Sequence, residues 1–214
     1  MTCSVVCVLR SGGEYVPDHA RRLYEGVKKH WPHDRPLRFV ALTDIPINTK
    51  GIEERRLYQR HKGWWSKMEL FDASQDVLGN ILYFDLDTLI VGSLEQIAKP
   101  RPLTLLRDFC HPERLQSGMM YLPIGSRPLV SAAFIADAEY IMKFIRGDGE
   151  FLDSVWRDRN PVVWQDSGTD TEGQVVSYKV HVRQRKGQSI PDHTRVVCFH
   201  GQPRPWATPL WNRA

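Results

Sequence analysis

The stretch Ile81-Leu82-Tyr83-Phe84-Asp85-Leu86-Asp87 decides the fold class and the position of the site. Its four leading apolar residues predict a strand buried on both faces, as in a parallel sheet. Side chains two positions apart in an extended segment point the same way, so we expect Asp85 and Asp87 to face one site. Leu86 is then expected to point into the core. In open α/β sheets, ligands bind outside the carboxyl ends of such strands.

The rest of the chain alternates predicted strands with amphipathic helices. One helix begins at Pro17 and ends before Pro32, a second carries Trp64 and Met68 on one face, and a long third one covers 134–146. The other predicted strands cover residues 4–9, 37–42, 52–58, 103–107, 118–122, 175–180 and 195–199. This alternation predicts an α/β fold with a mostly parallel central sheet flanked by helices.

Length and composition predict a single domain over residues 1–214. The chain is 42% hydrophobic with 7 Trp, 7 Tyr and 8 Phe, which excludes an intrinsically disordered protein. Its 29 Lys and Arg against 25 Asp and Glu give a net charge of +4, without the basic stripe of a nucleic-acid-binding protein. We therefore expect no nucleic-acid partner.

The cysteines indicate a reducing environment. Cys3, Cys7, Cys110 and Cys198 show no CxxC spacing, so a structural zinc site is not predicted, and three of them lie in predicted strands as free thiols. The sequence contains neither a signal peptide nor an apolar run of the roughly 20 residues that a membrane span needs. We expect a cytoplasmic protein without a membrane-spanning segment.

The acidic pair Asp85 and Asp87 is a candidate metal site. Two carboxylates at close range repel each other unless a cation joins them, and Mg²⁺ or Mn²⁺ is the usual partner, often shared with substrate phosphates. The alternative is a capping or turn pair at the end of a strand, because Asp-x-Asp is common by chance.

A second polar segment, His200-Gly201-Gln202-Pro203-Arg204-Pro205-Trp206, follows the last predicted strand. Gly201 permits close backbone approach, and the two prolines flanking Arg204 favour a stiff, extended loop. A lone histidine after a strand is more often structural. A histidine beside a rigidly presented arginine is better explained as a metal ligand next to a phosphate-binding group.

Together, the two segments resemble the glycogenin-like family 8 glycosyltransferases, over roughly residues 1–206. The family pattern has a YxDxD strand end, a small-residue segment similar to Gln116-Ser117-Gly118-Met119-Met120, and a C-terminal His…Gly…Lys-Pro-Trp loop. The resemblance implies a GT-A fold, that is, a Rossmann-like nucleotide-diphospho-sugar transferase domain. It also implies a retaining, metal-dependent enzyme that takes UDP-glucose or UDP-galactose as the donor.

The same resemblance implies residue roles. Asp85, Asp87 and His200 would bind Mn²⁺ or Mg²⁺, with Asp85 also near the ribose. Arg204, where the family has a lysine, would contact the diphosphate, and Lys67 would touch the donor. The alternative for Lys67 is a solvated helix charge. The remaining donor-binding positions implied are Leu9, Arg10, Asp44, Ser117, Gly118 and Gly201.

The sequence departs from the family pattern in two places. The family carries an Asp-Gln pair next to the donor sugar, and here we assign Asp166, with Gln165 beside it, as the catalytic residues. Ser117 stands where the family has an asparagine. The acceptor, whether glycan, protein or small molecule, is not specified by the sequence, and we expect no appended acceptor domain.

Two other functions are compatible with the motifs. A haloacid-dehalogenase-type phosphatase is suggested by Phe84-Asp85-Leu86-Asp87-Thr88-Leu89, with Asp148 and Asp153 as its later acidic residues. However, the glycine after the second aspartate is missing, and the motif does not lie on the first strand. The non-enzymatic alternative is a degenerate transferase that binds a nucleotide sugar or glycan.

Overall fold

The computed structural model describes residues 3–212, which form ten strands and four α-helices. The strands are β1 Cys3–Leu9, β2 Phe39–Thr43, β3 Ile52–Arg56, β4 Asn80–Phe84, β5 Thr88–Ile90, β6 Thr104–Arg107, β7 Leu115–Leu122, β8 Val162–Val163, β9 Val175–Ser177 and β10 Val196–Cys198. The helices are α1 Pro17–His30, α2 Arg127–Ala136, α3 Ala138–Phe144 and α4 Asp148–Trp156.

Seven strands form the central sheet, in the order β3-β2-β1-β4-β7-β6-β8. Strands β1 to β4 are mutually parallel, β7 runs antiparallel to both β4 and β6, and β8 is parallel to β6. The predicted α/β fold with a mostly parallel sheet is confirmed. Because β1, β2 and β4 are parallel, the segments that follow them meet at one edge of the sheet.

A small second sheet, which the sequence analysis did not predict, has the order β5-β10-β9. β10 is the central strand, antiparallel to β5 and parallel to β9. Since β5 begins directly after Asp87, the acidic pair lies in the connection from the central sheet to the small one.

The central sheet has a core on each face. On one face, the apolar side of α1 packs with the small sheet, through residues such as Leu23, Val27 and Ile90. On the other face lie α2, α4 and a 3₁₀ helix over Gly63–Phe71, with Trp65 and Phe134 among the buried residues. Burial on both faces accounts for the continuous apolar runs of β1, β2 and β4.

The prediction of one long helix over 134–146 is wrong, because α2 ends at Ala136 and α3 begins at Ala138. Asp137 interrupts the helix with φ −157° and ψ 56°, and its carboxylate accepts a hydrogen bond from the Tyr140 amide at 3.3 Å. A short polar side chain that caps the next helix competes with continuation of the previous one. Helix α4, which begins at Asp148, was not predicted.

The cysteines behave as expected from their strand positions. All four are free thiols, and Cys7 and Cys198 are buried. Burial raises the pKa of Cys7 to about 12, so its thiol stays protonated. None of the helices formed by residues 3–212 is both long and apolar enough to cross a membrane.

Candidate active site

The Asp85-Leu86-Asp87 segment is a turn between β4 and β5 rather than an extended strand end. The Thr88 amide donates a hydrogen bond to the Asp85 carbonyl at 3.1 Å and closes this turn. Leu86 is buried in the core, as predicted. The turn keeps the two carboxylates close enough for Asp85 to influence the ionisation of Asp87.

Asp85 is held by hydrogen bonds to three elements, with two donors on its carboxylate and one acceptor for its backbone amide. Tyr83 donates its hydroxyl to Oδ1 at 2.6 Å, and the Lys67 ammonium lies 2.9 Å from the same atom. The backbone amide of Asp85 donates to the carbonyl of Gly118 at 2.9 Å. A Cβ at position 118 would lie 3.3 Å from Oδ2 of Asp85, so glycine leaves this carboxylate room.

Lys67 forms the buried centre of the site, with only 6% of the residue exposed. Its ammonium lies 2.6 Å from Asp148 and donates to the Ser117 hydroxyl at 3.1 Å. The Ser117 hydroxyl in turn donates to Asp148 at 2.7 Å. Burial opposes the charged ammonium, but Asp148 and Asp85 outweigh it and raise the pKa of Lys67. Lys67 is therefore a buried cation, not a solvated helix charge.

Asp87 is 3% exposed and is bound by groups from both ends of the chain. Tyr15 donates its hydroxyl to Oδ2 at 2.9 Å, and Arg204 forms an ion pair with the same carboxylate and with Glu14. Burial and repulsion from Asp85 raise the pKa of Asp87 to about 6, although Arg204 and Tyr15 oppose the shift.

Lys67, Asp85, Asp148 and Arg204 line a pocket of about 610 Å³ at the carboxyl ends of β1, β2 and β4, whereas Asp87 is not part of its lining. Ligand pockets commonly have this size. At the end of β1, Arg10 lies 3.5 Å from Asp44, and the Ser11 amide donates to Asp44 at 2.7 Å. The polar lining includes Arg10, Asp44, Lys67, Asp85, Asp148 and Arg204.

The structure thus brings five of the predicted donor-binding residues to one pocket: Arg10, Asp44, Lys67, Asp85 and Arg204. Ser117 and Gly118 contact this set through Lys67 and Asp85. Leu9, in contrast, is fully buried in the core and does not line the pocket.

His200 does not join the two aspartates. Its Nε2 is 2.8 Å from the Ser177 hydroxyl, and its ring stacks on Phe109 with a centroid distance of 6.0 Å. Burial lowers the pKa of His200, which favours the neutral imidazole. Gly201, next to it, has φ +65° and lies close to the Lys179 ammonium.

Gln165 and Asp166 bind Arg107 and do not line the pocket. The Gln165 amide accepts from the Arg107 backbone N–H at 3.0 Å and donates to its carbonyl at 2.8 Å, in the manner of a strand neighbour. Asp166 forms an ion pair with the Arg107 guanidinium at 2.7 Å. The catalytic roles assigned to Gln165 and Asp166 remain predictions from the sequence.

Several pocket residues were not assigned to the transferase site from the sequence, among them Glu14, Tyr15 and Asp148. Glu14 and Tyr15 follow β1 by several residues, and only the tertiary fold brings them to Arg204 and Asp87. Asp148 was considered only as a phosphatase residue. Its position at the start of α4, beside Gly147, gave no local indication of contact with Lys67.

The acidic pair is compatible with a divalent cation. Asp85 and Asp87 supply the carboxylate oxygens that Mg²⁺ and Mn²⁺ prefer, and burial together with repulsion from Asp85 raises the pKa of Asp87. Within residues 3–212, however, no three His, Cys, Asp or Glu side chains are grouped so that they could hold a metal ion. A metal would therefore need oxygens from a ligand or movement of His200.

Solved structures that match the fold of this chain include glycosyltransferases. The apo form of the glycosyltransferase GlyE from Streptococcus pneumoniae TIGR4 superposes with a TM-score of 0.68 at 14% identity, covering 96% of this chain and 56% of that one. A second GlyE structure gives 0.69 at 15% identity, covering 99% and 59%. The chain has a glycosyltransferase fold. It spans a little over half the length of the GlyE chains.

A third structure with this glycosyltransferase fold is LgtC, solved as an active-site mutant. Its TM-score is 0.65 at 13% identity, and the match covers 98% of this chain and 93% of LgtC. No protein-family model and no curated protein sequence matches the chain. At such low identities, the shared feature is the fold, and the site must be argued from its own residues.

Proposed function

We propose that the protein is a metal-dependent glycosyltransferase. It transfers a hexose, glucose or galactose, from a UDP-sugar to an acceptor with retention of the anomeric configuration. The observation that carries the proposal is the pocket at the carboxyl ends of β1, β2 and β4, where Arg10, Asp44, Lys67, Asp85 and Arg204 converge in a glycosyltransferase fold.

The two ends of the pocket suit the two parts of the donor. The Arg10 and Asp44 end, with its hydrogen-bonded Ser11, is proposed to bind the uridine. The proposed diphosphate position lies near Arg204 and the acidic pair. Asp85, Asp87 and, after release from Ser177, His200 would hold Mn²⁺ or Mg²⁺, which neutralises charge on the diphosphate when bound.

The protein's own groups supply further stabilisation of the leaving diphosphate. Arg204 is held in an extended loop with φ −80° and ψ 159°, so its guanidinium is placed before the donor arrives. Arginine can bind two phosphate oxygens at once, unlike lysine. Lys67 fixes the positions of Asp85 and Asp148. We propose Asp148, which lines the pocket, as the carboxylate that faces the donor sugar.

The proposal is tested by calorimetric titration of UDP in the presence of Mn²⁺ and in the presence of EDTA. We expect binding that requires the metal, and loss of this metal-dependent binding in the Asp87→Asn variant. The product anomer, identified by NMR, tests retention. Absence of UDP binding under both conditions would overturn the proposal.

A second candidate function is a nucleotide-sugar-binding protein without transferase activity. It is favoured by the pairing of Asp87 with Arg204 and by the hydrogen bond of His200 with Ser177, which leaves His200 apart from the two aspartates. UDP-sugar binding without UDP release, in the presence or absence of acceptor sugars, would support it. Hydrolysis of p-nitrophenyl phosphate would instead indicate the phosphatase suggested by the acidic motif.

A further inference from the structure

Two consecutive tryptophans of the 3₁₀ helix Gly63–Phe71 have opposite environments. Trp65 is buried against Phe134, at a centroid distance of 5.9 Å, and Phe151, at 6.4 Å. Trp64 is 58% exposed and lines the pocket. Among the described residues, its indole N–H has no hydrogen-bond partner. An exposed tryptophan at a pocket mouth is not needed for the core and suggests contact with a ligand.

Trp64 is held in place by the elements around it. Trp65 anchors the next position of the helix, and the Ser66 hydroxyl donates to the Gly63 carbonyl at 2.8 Å. The pyrrole edge of Trp64 packs on Gly147, where a Cβ would lie 3.5 Å from the indole Nε1. The backbone on both sides of Trp64 is thus anchored, the indole packs on Gly147, and 58% of the residue remains exposed.

The position of Trp64 separates it from the proposed uridine end. Gly147, which the indole contacts, immediately precedes Asp148, the carboxylate bound to Lys67. Arg10 and Asp44 belong instead to the segments that follow β1 and β2. The tryptophan therefore lies beside Asp148, the carboxylate proposed to face the transferred sugar, where an acceptor has to approach.

We propose that Trp64 forms the acceptor subsite and that the acceptor presents a hexose ring, as in an oligosaccharide or glycoside. This inference rests on the proposed transferase function. A hexose has an apolar face of C–H groups, which packs on an indole, and a rim of hydroxyls, which can bind carboxylates such as Asp148. A flat aromatic face next to carboxylates matches both surfaces of the sugar.

The first test follows the indole N–H signals by ¹⁵N-edited NMR, with the Trp64 signal assigned from the Trp64→Phe variant. UDP and Mn²⁺ are added first, and lactose, maltose and cellobiose are then titrated separately. We expect at least one disaccharide to shift the Trp64 signal in a saturable manner. If none of the three shifts it, the acceptor assignment is wrong, even where UDP binds normally.

The second test compares Trp64→Ala with Tyr140→Ala, which removes an aromatic side chain that is 55% exposed on α3. We expect Trp64→Ala to weaken disaccharide binding about tenfold, a typical loss for an aromatic anchor, and Tyr140→Ala to have no effect. UDP affinity, measured by calorimetry, should be unchanged in both variants. An equal loss of UDP affinity in Trp64→Ala would place the ring in the donor site and overturn the proposal.

The outcomes also separate this inference from the transferase proposal. Failure of the unmodified protein to bind UDP would remove the transferase proposal, and with it the acceptor role of Trp64, but the disaccharide titration would still test whether Trp64 binds a sugar. In that case, a shifted Trp64 signal would support a sugar subsite, and an unchanged signal would reject it.

Discussion

Arg204 forms an ion pair with Asp87, which lies 117 positions earlier in the chain. The same guanidinium binds Glu14, and Tyr15 also donates to Asp87. One arginine thereby joins the segment after β1, the turn after β4 and the loop after β10. It balances a buried carboxylate and, in our proposal, also faces the diphosphate of the donor.

We expect Arg204→Ala to weaken UDP binding by at least about tenfold, since a charge-assisted contact of roughly 1.5–3 kcal/mol would be lost. Arg204→Lys should retain part of the affinity, because it keeps the charge but not the paired hydrogen bonds. Calorimetry with Mn²⁺ measures both variants. The exposed Arg183→Ala serves as the control, and equal affinities for all four proteins would exclude Arg204 from the donor site.

Replacement of Lys67 by methionine is expected to lower the free energy of unfolding by about 3 kcal/mol. The substitution leaves Asp85 and Asp148 without their shared buried cation. This loss of unfolding free energy should lie at the low end of the range for a broken buried ion pair, because Asp85 lines the pocket and can be solvated from there. Urea denaturation compares the Lys67→Met variant with Lys62→Met, which changes a lysine at an exposed position. Equal stabilities would show that the network does not depend on Lys67.

Asp148→Asn and Asp166→Asn distinguish two assignments of the sugar-facing carboxylate. Asp148 lines the pocket, whereas Asp166 binds Arg107 outside it. We expect Asp148→Asn to reduce UDP release from UDP-glucose by about 10²–10³-fold, as for other preorganised electrostatic groups. Asp166→Asn should remain close to the unmodified protein. The reverse pattern would restore the assignment made from the sequence.

Stability should decrease at acidic pH partly because of His19. Burial lowers the pKa of His19, and its Nδ1 accepts a hydrogen bond from the Val16 amide at 3.2 Å. The unfolded chain takes up this proton near pH 6.5, whereas the folded protein resists it, so stability is full above that pH and declines below it.

The measurement is thermal unfolding of the unmodified protein and His19→Gln between about pH 7.5 and about pH 5. The variant should lose less stability over this range. His30, His61, His181 and His200 also have a lowered pKa, so only the difference between the two proteins reports on His19. Parallel curves would contradict the prediction.

The sequence was sufficient to predict those parts of the fold that a local pattern of residues specifies. The apolar run before Asp85 specified a buried strand, and the order of apolar segments specified an α/β fold, because burial on two faces removes the polar alternation. Pro17 at the start of α1 and Pro32 after its end likewise marked that helix.

The site was less predictable because its contacts depend on distant packing. Lys67, for example, carries the same local pattern whether it is solvated or buried against Asp148. The helical period around Phe134 continued through Asp137, although the backbone breaks there to cap α3. Gln165 and Asp166 were assigned from the family's Asp-Gln pair, and no local pattern indicated that both side chains bind Arg107 on the neighbouring strand.

The central position of β10 in the small sheet affects the order in which the site is completed during synthesis. The strands β1 to β4 can pair as soon as they emerge, but β5 and β9 contact each other only through β10. Both strands present unpaired edges until residues 196–198 have been made, and Arg204 follows only then. A nascent chain therefore holds the acidic turn before its balancing arginine exists, and nucleotide binding should begin only after translation has passed residue 204.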